Sequence, residues 1–477
     1  MKISTAPVRR LLLLFTVLLM KPIVATDSGA PENCPPGEKR PNIIYIMLDD
    51  AGYADFGAMG SREIRTPHFD RLCREGTRFT HHYSGSAVCA PTRCVLMTGK
   101  HTGHCRRRDN QARVRRDQTD QNGLVFLKDE DLTVAEVLRG AGYVTGGIGK
   151  WGLGNPGFEG APERQGFDHF LGYLDQVHAH DHYTDWLWKD GQRIQTGKRY
   201  SHDLFEEATL QFIRKNRDGP FFLYLPYCLP HGKYVIPPED PALAGYQDRP
   251  WSEQVKNYAA MVTRADRTVG QILALLEELA IDENTIVFYT SDNGPNAPFL
   301  KDLNSNGPFQ GIKRTLLEGG IRAPMAVRWP GKIPAGKTSE FVWDMRDVFP
   351  TCCELAKSEI PKGLDGISVL PTLLGKKQEP REHLYWYFPK NSQEAVRMGK
   401  WKGIRYGTRG AIRLFDLETD PGEKENLAGN HPALVKKIGQ IMDQSHTPSP
   451  FWPRQEKPTG KKKKQNRKKK TPKEKKQ

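Results

Sequence analysis

Long apolar runs are scarce in this chain, and their scarcity is the first constraint. Among its 477 residues the run Leu11–Met20 stands out, is too short to span a bilayer, and is followed by no second candidate. Cysteine is sparse as well, with 8 residues and no pair at zinc-ribbon spacing, so a small metal-stapled fold is not expected. No internal repeat is evident. Net charge is missing where a nucleic-acid-binding body would need it. The formal charge is +15, but Lys2, Arg9, Arg10 and Lys21 place +4 in residues 1–25. Residues 454–477 place another +11, from 13 Lys or Arg against Glu456 and Glu474, which leaves zero for residues 26–453. No nucleic-acid partner is expected for a neutral body.

The two basic ends have separate readings. Arg9-Arg10, the apolar run and Ile23-Val24-Ala25 form a secretory signal over residues 1–25, with cleavage expected after Ala25. No cysteine stands at that point to take a lipid anchor, so export to the periplasm or extracellular space is expected. The tail, residues 454–477, is Lys-rich and broken by Pro458 and Pro472, and is expected to be disordered and solvating. A sharper reading makes it an electrostatic contact with anionic polysaccharide or a cell surface.

Between the ends, Asn42–Leu48, Pro220–Leu225 and Thr285–Thr290 are continuous apolar runs typical of strands buried on both faces. Helical patterns at Leu132–Arg139, Asp203–Arg214 and Tyr258–Leu279 alternate with them. The expected fold is α/β: a large, mostly parallel central sheet with helices on both faces, over residues 26–340. Residues 341–453 are expected to form a smaller C-terminal subdomain with a short antiparallel sheet. Its strands are read at His383–Phe388, Glu394–Met398, Trp401–Tyr406 and Ile412–Phe415. The stretch from Leu414 to Ala428 reads as a strand, a turn and a helix start.

Two of the apolar runs end in acidic or amide pairs, Asp49-Asp50 and Asp292-Asn293. In a parallel sheet such strand ends converge on one ligand site. Adjacent carboxylates after a buried strand are costly unless they meet a cation. All-oxygen donors favour Ca²⁺, with Mg²⁺ second. A third element is the run Cys89-Ala90-Pro91-Thr92-Arg93. Pro91 suits a first helical turn, which puts Cys89 at the positive end of a helix and Arg93 on the same face one turn later.

The cysteine-x-proline-x-arginine run resembles the signature of the type I, formylglycine-dependent sulfatases of the alkaline-phosphatase superfamily, and the resemblance extends over roughly residues 40 to 430. It implies that Cys89 is oxidised to Cα-formylglycine by a maturation enzyme. It also implies that Asp49, Asp50, Asp292 and Asn293, with the modified Cys89, hold Ca²⁺. By motif, Lys150 in Gly149-Lys150-Trp151 and Lys313 before Glu318-Gly319-Gly320 match sulfate-binding lysines, and His231 matches the histidine on the leaving-group side. One hydroxyl of the hydrated formylglycine, favoured as its anion by the metal and Arg93, is then expected to attack sulfur, while the second later expels sulfate. Where many sulfatases carry a second histidine, this chain has Gly152, which leaves the base of that last step open. His180 is a candidate replacement base or substrate-binding group, with His178 behind it. Setting Cys89 aside leaves seven cysteines, an odd number, so not all can pair within the chain. The expected substrate is a sulfate ester of sulfated carbohydrate. A formylglycine-dependent phosphonate or phosphate ester hydrolase and a non-catalytic carbohydrate-binding relative stand as alternatives. The basic run from Arg106-Arg107-Arg108 to Arg115-Arg116 reads as a solvated face or as a contact for an anionic substrate chain.

Overall fold

The computed structural model describes residues 39–112, 114–296 and 299–456. The leader, Cys34 and the tail from residue 457 lie outside the described residues. In chain order the strands are β1 (Asn42–Leu48), β2 (Thr77–Phe79), β3 (His82–Tyr83), β4 (Val144–Lys150) and β5 (His169–Tyr173). They continue as β6 (Trp186–Lys189), β7 (Gln192–Gln195), β8 (Phe221–Pro226), β9 (Thr285–Ser291) and β10 (Met325–Arg328). The last six are β11 (Lys337–Ser339), β12 (Trp343–Asp344), β13 (Leu384–Phe388), β14 (Gln393–Met398), β15 (Trp401–Tyr406) and β16 (Arg413–Asp416).

A ten-stranded sheet runs β11-β2-β10-β9-β1-β8-β4-β5-β6-β7. Its five central strands, β9, β1, β8, β4 and β5, are mutually parallel, and the flanking β10, β6 and β7 run antiparallel to their neighbours. β1 shows why the centre forms. Ile44, Ile46 and Leu48 join one buried core, and Ile43, Tyr45 and Met47 join another on the opposite face. A strand whose alternate residues are all apolar needs cover on both sides, and each such side chain contributes roughly 1.5–3 kcal/mol when buried. Cover on the first face includes the helix Glu253–Glu278. Ser252 starts it by accepting from the Val255 N–H at 3.4 Å. Val255, Tyr258, Val262, Ala265, Val269, Ile272 and Leu276 then line its buried stripe. The other face is covered by Cys89–Thr98, Val134–Gly140 and Val348–Leu355.

The C-terminal sheet, β13-β14-β15-β16, is antiparallel throughout and carries the helix Pro432–Gln444. One detail differs from the sequence reading. After β16 the chain continues in turns, and no helix begins before Pro432. Asp420 Oδ2 accepts the N–H groups of Lys424 and Glu425 at 2.7 and 2.8 Å, and Glu423 sits at φ 53°, a combination that closes a turn instead of a helix. Among the described residues all seven cysteines are buried and unbridged, and no helix is long and apolar enough to cross a membrane.

Candidate active site

β1 and β9 pair in register, Leu48 opposite Ser291, so the residues that follow each strand come out side by side. The Asp292 N–H donates to Leu48 O at 3.0 Å and the Asp50 N–H to Asp292 Oδ1 at 3.1 Å, which locks the two strand tips together. Asp50 adopts φ 68°, a left-handed conformation that carboxylate-bearing residues tolerate better than most. Asn293 Nδ2 donates to Asp50 Oδ1 at 2.7 Å, while its Oδ1 is buried without a partner among the described residues.

The helix Cys89–Thr98 brings the third element. Val88 precedes it in extended conformation, Pro91 lies in its first turn, and Gly99 closes it at φ 63° with an N–H bond to Val95 O of 2.9 Å. Cys89 is thus the first residue of the helix, and its Sγ lies 3.2 Å from Asp49 Oδ1. One turn on, Arg93 donates to Asp49 Oδ2 at 3.2 Å, Asp292 Oδ2 at 3.1 Å and Lys150 O at 2.7 Å. Lys150, ending β4, reaches Asp49 Oδ2 at 2.6 Å. Lys313 Nζ lies 2.6 Å from Asp50 Oδ1 and 3.5 Å from Cys89 Sγ. His231, beyond β8, places Nε2 3.2 Å from Asp50 Oδ2. The cluster therefore joins Asp49, Asp50, Cys89, Arg93, Lys150, His231, Asp292, Asn293 and Lys313 in one connected set, all buried except His231, which is 13 % exposed.

Burial dominates the electrostatics. It pushes Asp49 up, but Lys150, His231, Arg93 and Lys313 together outweigh it and hold the carboxyl well below the usual range. Asp50 is lowered in the same way, by His231 and Lys313. Asp292 is raised to about 7, first by burial and then by the charge of Asp49. Burial also takes His231 down to about 3, against the pull of Asp50 and Asp49. Burial, with Asp49 next, pushes the Cys89 thiol far up even though Lys150 and Lys313 oppose the shift. An unmodified sulfur here stays protonated and is a poor nucleophile.

The donor set suits a hard cation. Asp49, Asp50 and Asp292 present carboxylate oxygens, and Asn293 Oδ1 is a further buried oxygen that accepts from no donor among the described residues. Ligand atoms of Asp49, Asp50, Cys89 and His231 lie within 4.8 Å of one another.

The two histidines in the segment after β5 part company. His180 stacks on His231 with ring centroids 4.5 Å apart, and Lys150, Asp49, Lys313 and Asp50 all act on it. His178 is turned away: its Nε2 lies 2.6 Å from Thr184 Oγ1 and its ring packs on Trp186 at 4.0 Å. A 3₁₀ turn over His178–His180 sends the rings to different sides. The sequence reading also misses Asn110, whose Oδ1 accepts the Ala90 N–H at 3.1 Å beside Cys89. It misses Gln176 too, buried against Gly152. Neither residue sits in a motif that would have singled it out. The basic run needs correction at two positions. Arg107 and Arg108 are buried, not solvated: Arg107 Nη1 donates to Gly152 O at 2.8 Å and Arg108 Nη1 to Thr447 O at 2.8 Å.

A family model described as Sulfatase matches residues 41–358, and one described as N-sulphoglucosamine sulphohydrolase, C-terminal, matches residues 309–446. The N-acetylgalactosamine-6-sulfatase of Canis lupus familiaris is 33% identical over 427 residues, which cover 84% of this chain and 77% of the relative. The N-acetylgalactosamine-6-O-sulfatase of Bacteroides thetaiotaomicron is 28% identical over 497 residues, covering 86% and 94% of the two chains. Among solved structures, Ps i-CgsB in complex with k-i-k-neocarrahexaose aligns with a TM-score of 0.76 at 28% identity, over 85% of this chain and 92% of that one.

Proposed function

The chain belongs to the sulfatase family and is a sulfuric ester hydrolase, and on that premise we propose that it removes sulfate from sulfated carbohydrate outside the cytoplasm, using an oxidised Cys89 and a bound Ca²⁺. The observation that carries the reading is the meeting of nine side chains from distant segments around Cys89 Sγ, each linked to the next by a contact of 3.5 Å or less. The carbohydrate part is supported by the relatives named for N-acetylgalactosamine sulfate and by the oligosaccharide held by the solved structure. Export rests on the leader over residues 1–25.

Asp49, Asp50, Asp292 and Asn293, with position 89, would hold the cation, and its chemistry there would be to favour an anionic oxygen and polarise the sulfate. Cα-formylglycine at 89, supplied by a maturation enzyme, would contribute the hydroxyl that the protonated thiol cannot replace. The chain's own charges suit this. Three acidic side chains face the fixed cations Arg93, Lys150 and Lys313, so their formal charges balance. A divalent cation makes the cluster net positive, which is what an anionic ester requires. Lys150 and Lys313 are the groups placed to hold sulfate oxygens, and Arg93 fixes the carboxylates around them. His231, the one partly exposed member of the cluster, would face the leaving oxygen, and an anionic substrate beside it would raise its affinity for a proton.

The test compares release of sulfate from 6-sulfated N-acetylgalactosamine and from nitrophenyl sulfate with turnover of phenylphosphonate. The enzyme is made in a host able to oxidise the cysteine. Sulfate release is expected to dominate, and Cys89→Ala is expected to lower it by roughly 10⁴-fold or more with folding retained. Preferred turnover of the phosphonate, or a Cys89→Ala variant as active as the parent, would sink the reading. Peptide mass spectrometry at residue 89 reports the oxidation itself.

A further inference from the structure

Gly152 follows Lys150 by two residues and stands at φ 80°. A Cβ built there falls 1.6 Å from Gln176 Nε2, so the space a side chain at 152 would take is already filled by the Gln176 amide. That amide is itself unusual. Gln176 is only 9% exposed, and neither its Oε1 nor its Nε2 has a hydrogen-bond partner among the described residues. Buried amides are normally paired, because leaving both ends dry forfeits their hydration without return.

Its place in the chain points to what completes it. The Trp151 N–H donates to Tyr173 O at 2.8 Å and the Gly152 N–H to Leu174 O at 3.1 Å, which pins the start of the Gln176 loop to the end of β4, where Lys150 reaches Asp49. Four residues further on, the same loop delivers His180 onto His231. On the side of Gly152 away from that loop, Arg107 holds Gly152 O and, through Nη2, Asn110 O at 2.7 Å, so the backbone carrying Gly152 is braced.

We propose that Gln176 is a sulfate-binding residue of this site, its Nε2–H donating to a sulfate oxygen. The inference rests on the sulfatase reading and deepens it. An amide donates and accepts but does not take up a proton at neutral pH, so Gln176 orients the anion, while proton transfer in sulfate release falls to another group.

Two substitutions test this. Gln176→Met keeps the length and removes both polar atoms. It is expected to lower kcat/KM for nitrophenyl sulfate by about 10- to 100-fold and to weaken inhibition by inorganic sulfate by a similar factor, with Tm unchanged or raised. Gln176→Glu keeps the shape and faces the anion with a carboxylate. It is expected to weaken sulfate inhibition further, with the gap to wild type narrowing as pH falls. Calorimetric titration of inorganic sulfate into Ca²⁺-loaded Cys89→Ala protein, with and without Gln176→Met, reads the same contact without turnover. If both variants turn over and bind sulfate like their parents, Gln176 is structural and the inference falls, although wild-type sulfate release still stands. If wild-type protein releases no sulfate at all, the functional reading falls first. Should Gln176→Met fail to fold, the Gln176→Glu pair decides, because a packing role would not respond to the charge of a bound anion.

Discussion

At position 365 a single carboxylate ties the end of the Cys89–Thr98 helix to the chain that follows Val348–Leu355. Asp365 accepts from the His101 N–H and from His104 Nδ1, each at 2.9 Å, and its own N–H donates to Gly99 O at 2.9 Å. These three side chains are close enough to suggest an ion. However, His101 Nδ1 already accepts the Gly103 N–H at 3.0 Å, so its other ring nitrogen carries the proton and the trio is complete by itself. Burial pushes Asp365 up, but the His104 hydrogen bond, with His101 and Arg346 beside it, outweighs burial and brings the carboxyl to about 2, from an ordinary 3.8. A folded value below the unfolded one means the carboxylate contributes stability above pH 3.8, and that contribution fades as pH falls toward 2. Asp365→Asn is therefore expected to destabilise the protein above pH 4, with the difference from wild type closing between pH 4 and 2. Denaturant titrations at several pH values read this, and a penalty that stays constant across that range would contradict it. Legibility at this scale is uneven. Asp49, Asp50, Asp292 and Asn293 are readable because each pair ends an apolar run, and Cys89 and Arg93 because a proline marks their helix. By contrast, His178 and His180 share one short segment and only the turn between them separates their fates. Arg107 and Arg108 look solvated because no sequence rule says which carbonyls will need donors.

The strand tip is the unit that builds the site. β1 and β9 each end in a pair of oxygen donors, and their register sets the pairs side by side without help from a loop. Elements buried on both faces are the legible ones. β1 spans Asn42–Leu48 as read, β9 extends the reading by one residue, and the helix Glu253–Glu278 covers most of the pattern at Tyr258–Leu279. Short strands such as β2 and the edge strand β11 are not legible, because three residues carry too little periodicity and their pairing is long-range. If the two tips share a cation, chelation is expected to abolish turnover, with Ca²⁺ restoring it more fully than Zn²⁺, since the donors are mainly hard oxygens. Added Ca²⁺ should also raise the Tm of inactive Cys89→Ala protein, because binding to the native state alone stabilises it. A Tm indifferent to Ca²⁺, together with activity that survives chelation, would remove the cation from the account.

On the scale of the whole molecule, the small sheet is coupled to the segment around Glu318 through buried charge. Lys402 of β15 lies 2.7 Å from Glu318 Oε1 and 3.0 Å from Glu423 Oε1, all three side chains being fully buried. Glu318 is also held by Tyr83 at 2.7 Å and Arg322 at 3.0 Å, and its N–H donates to Glu423 Oε2 at 2.6 Å. Nearby, Trp386 Nε1 donates to Ser84 O at 3.0 Å and the Tyr387 N–H to Thr102 Oγ1 at 2.7 Å, so β13 clasps the segments on both sides of the Cys89 helix. Glu318 follows Lys313 by five residues, which places this network next to the loop that carries a lysine into the site. Removing one partner of a buried ion pair leaves the others uncompensated, at a cost of roughly 3–5 kcal/mol. Lys402→Met should sit at the low end, about 3 kcal/mol, because Glu423, raised to about 7 mainly by burial, can take a proton. If the sheets fold as one cooperative body, the variant will show a single unfolding transition at lower temperature, and turnover will fall with it as the Lys313 loop loosens. If the small sheet is an independent unit, calorimetry will resolve two transitions with only one displaced, and turnover will persist until the second. The network joins β15 to the segment that directly follows the Lys313 loop, and that placement favours the first outcome.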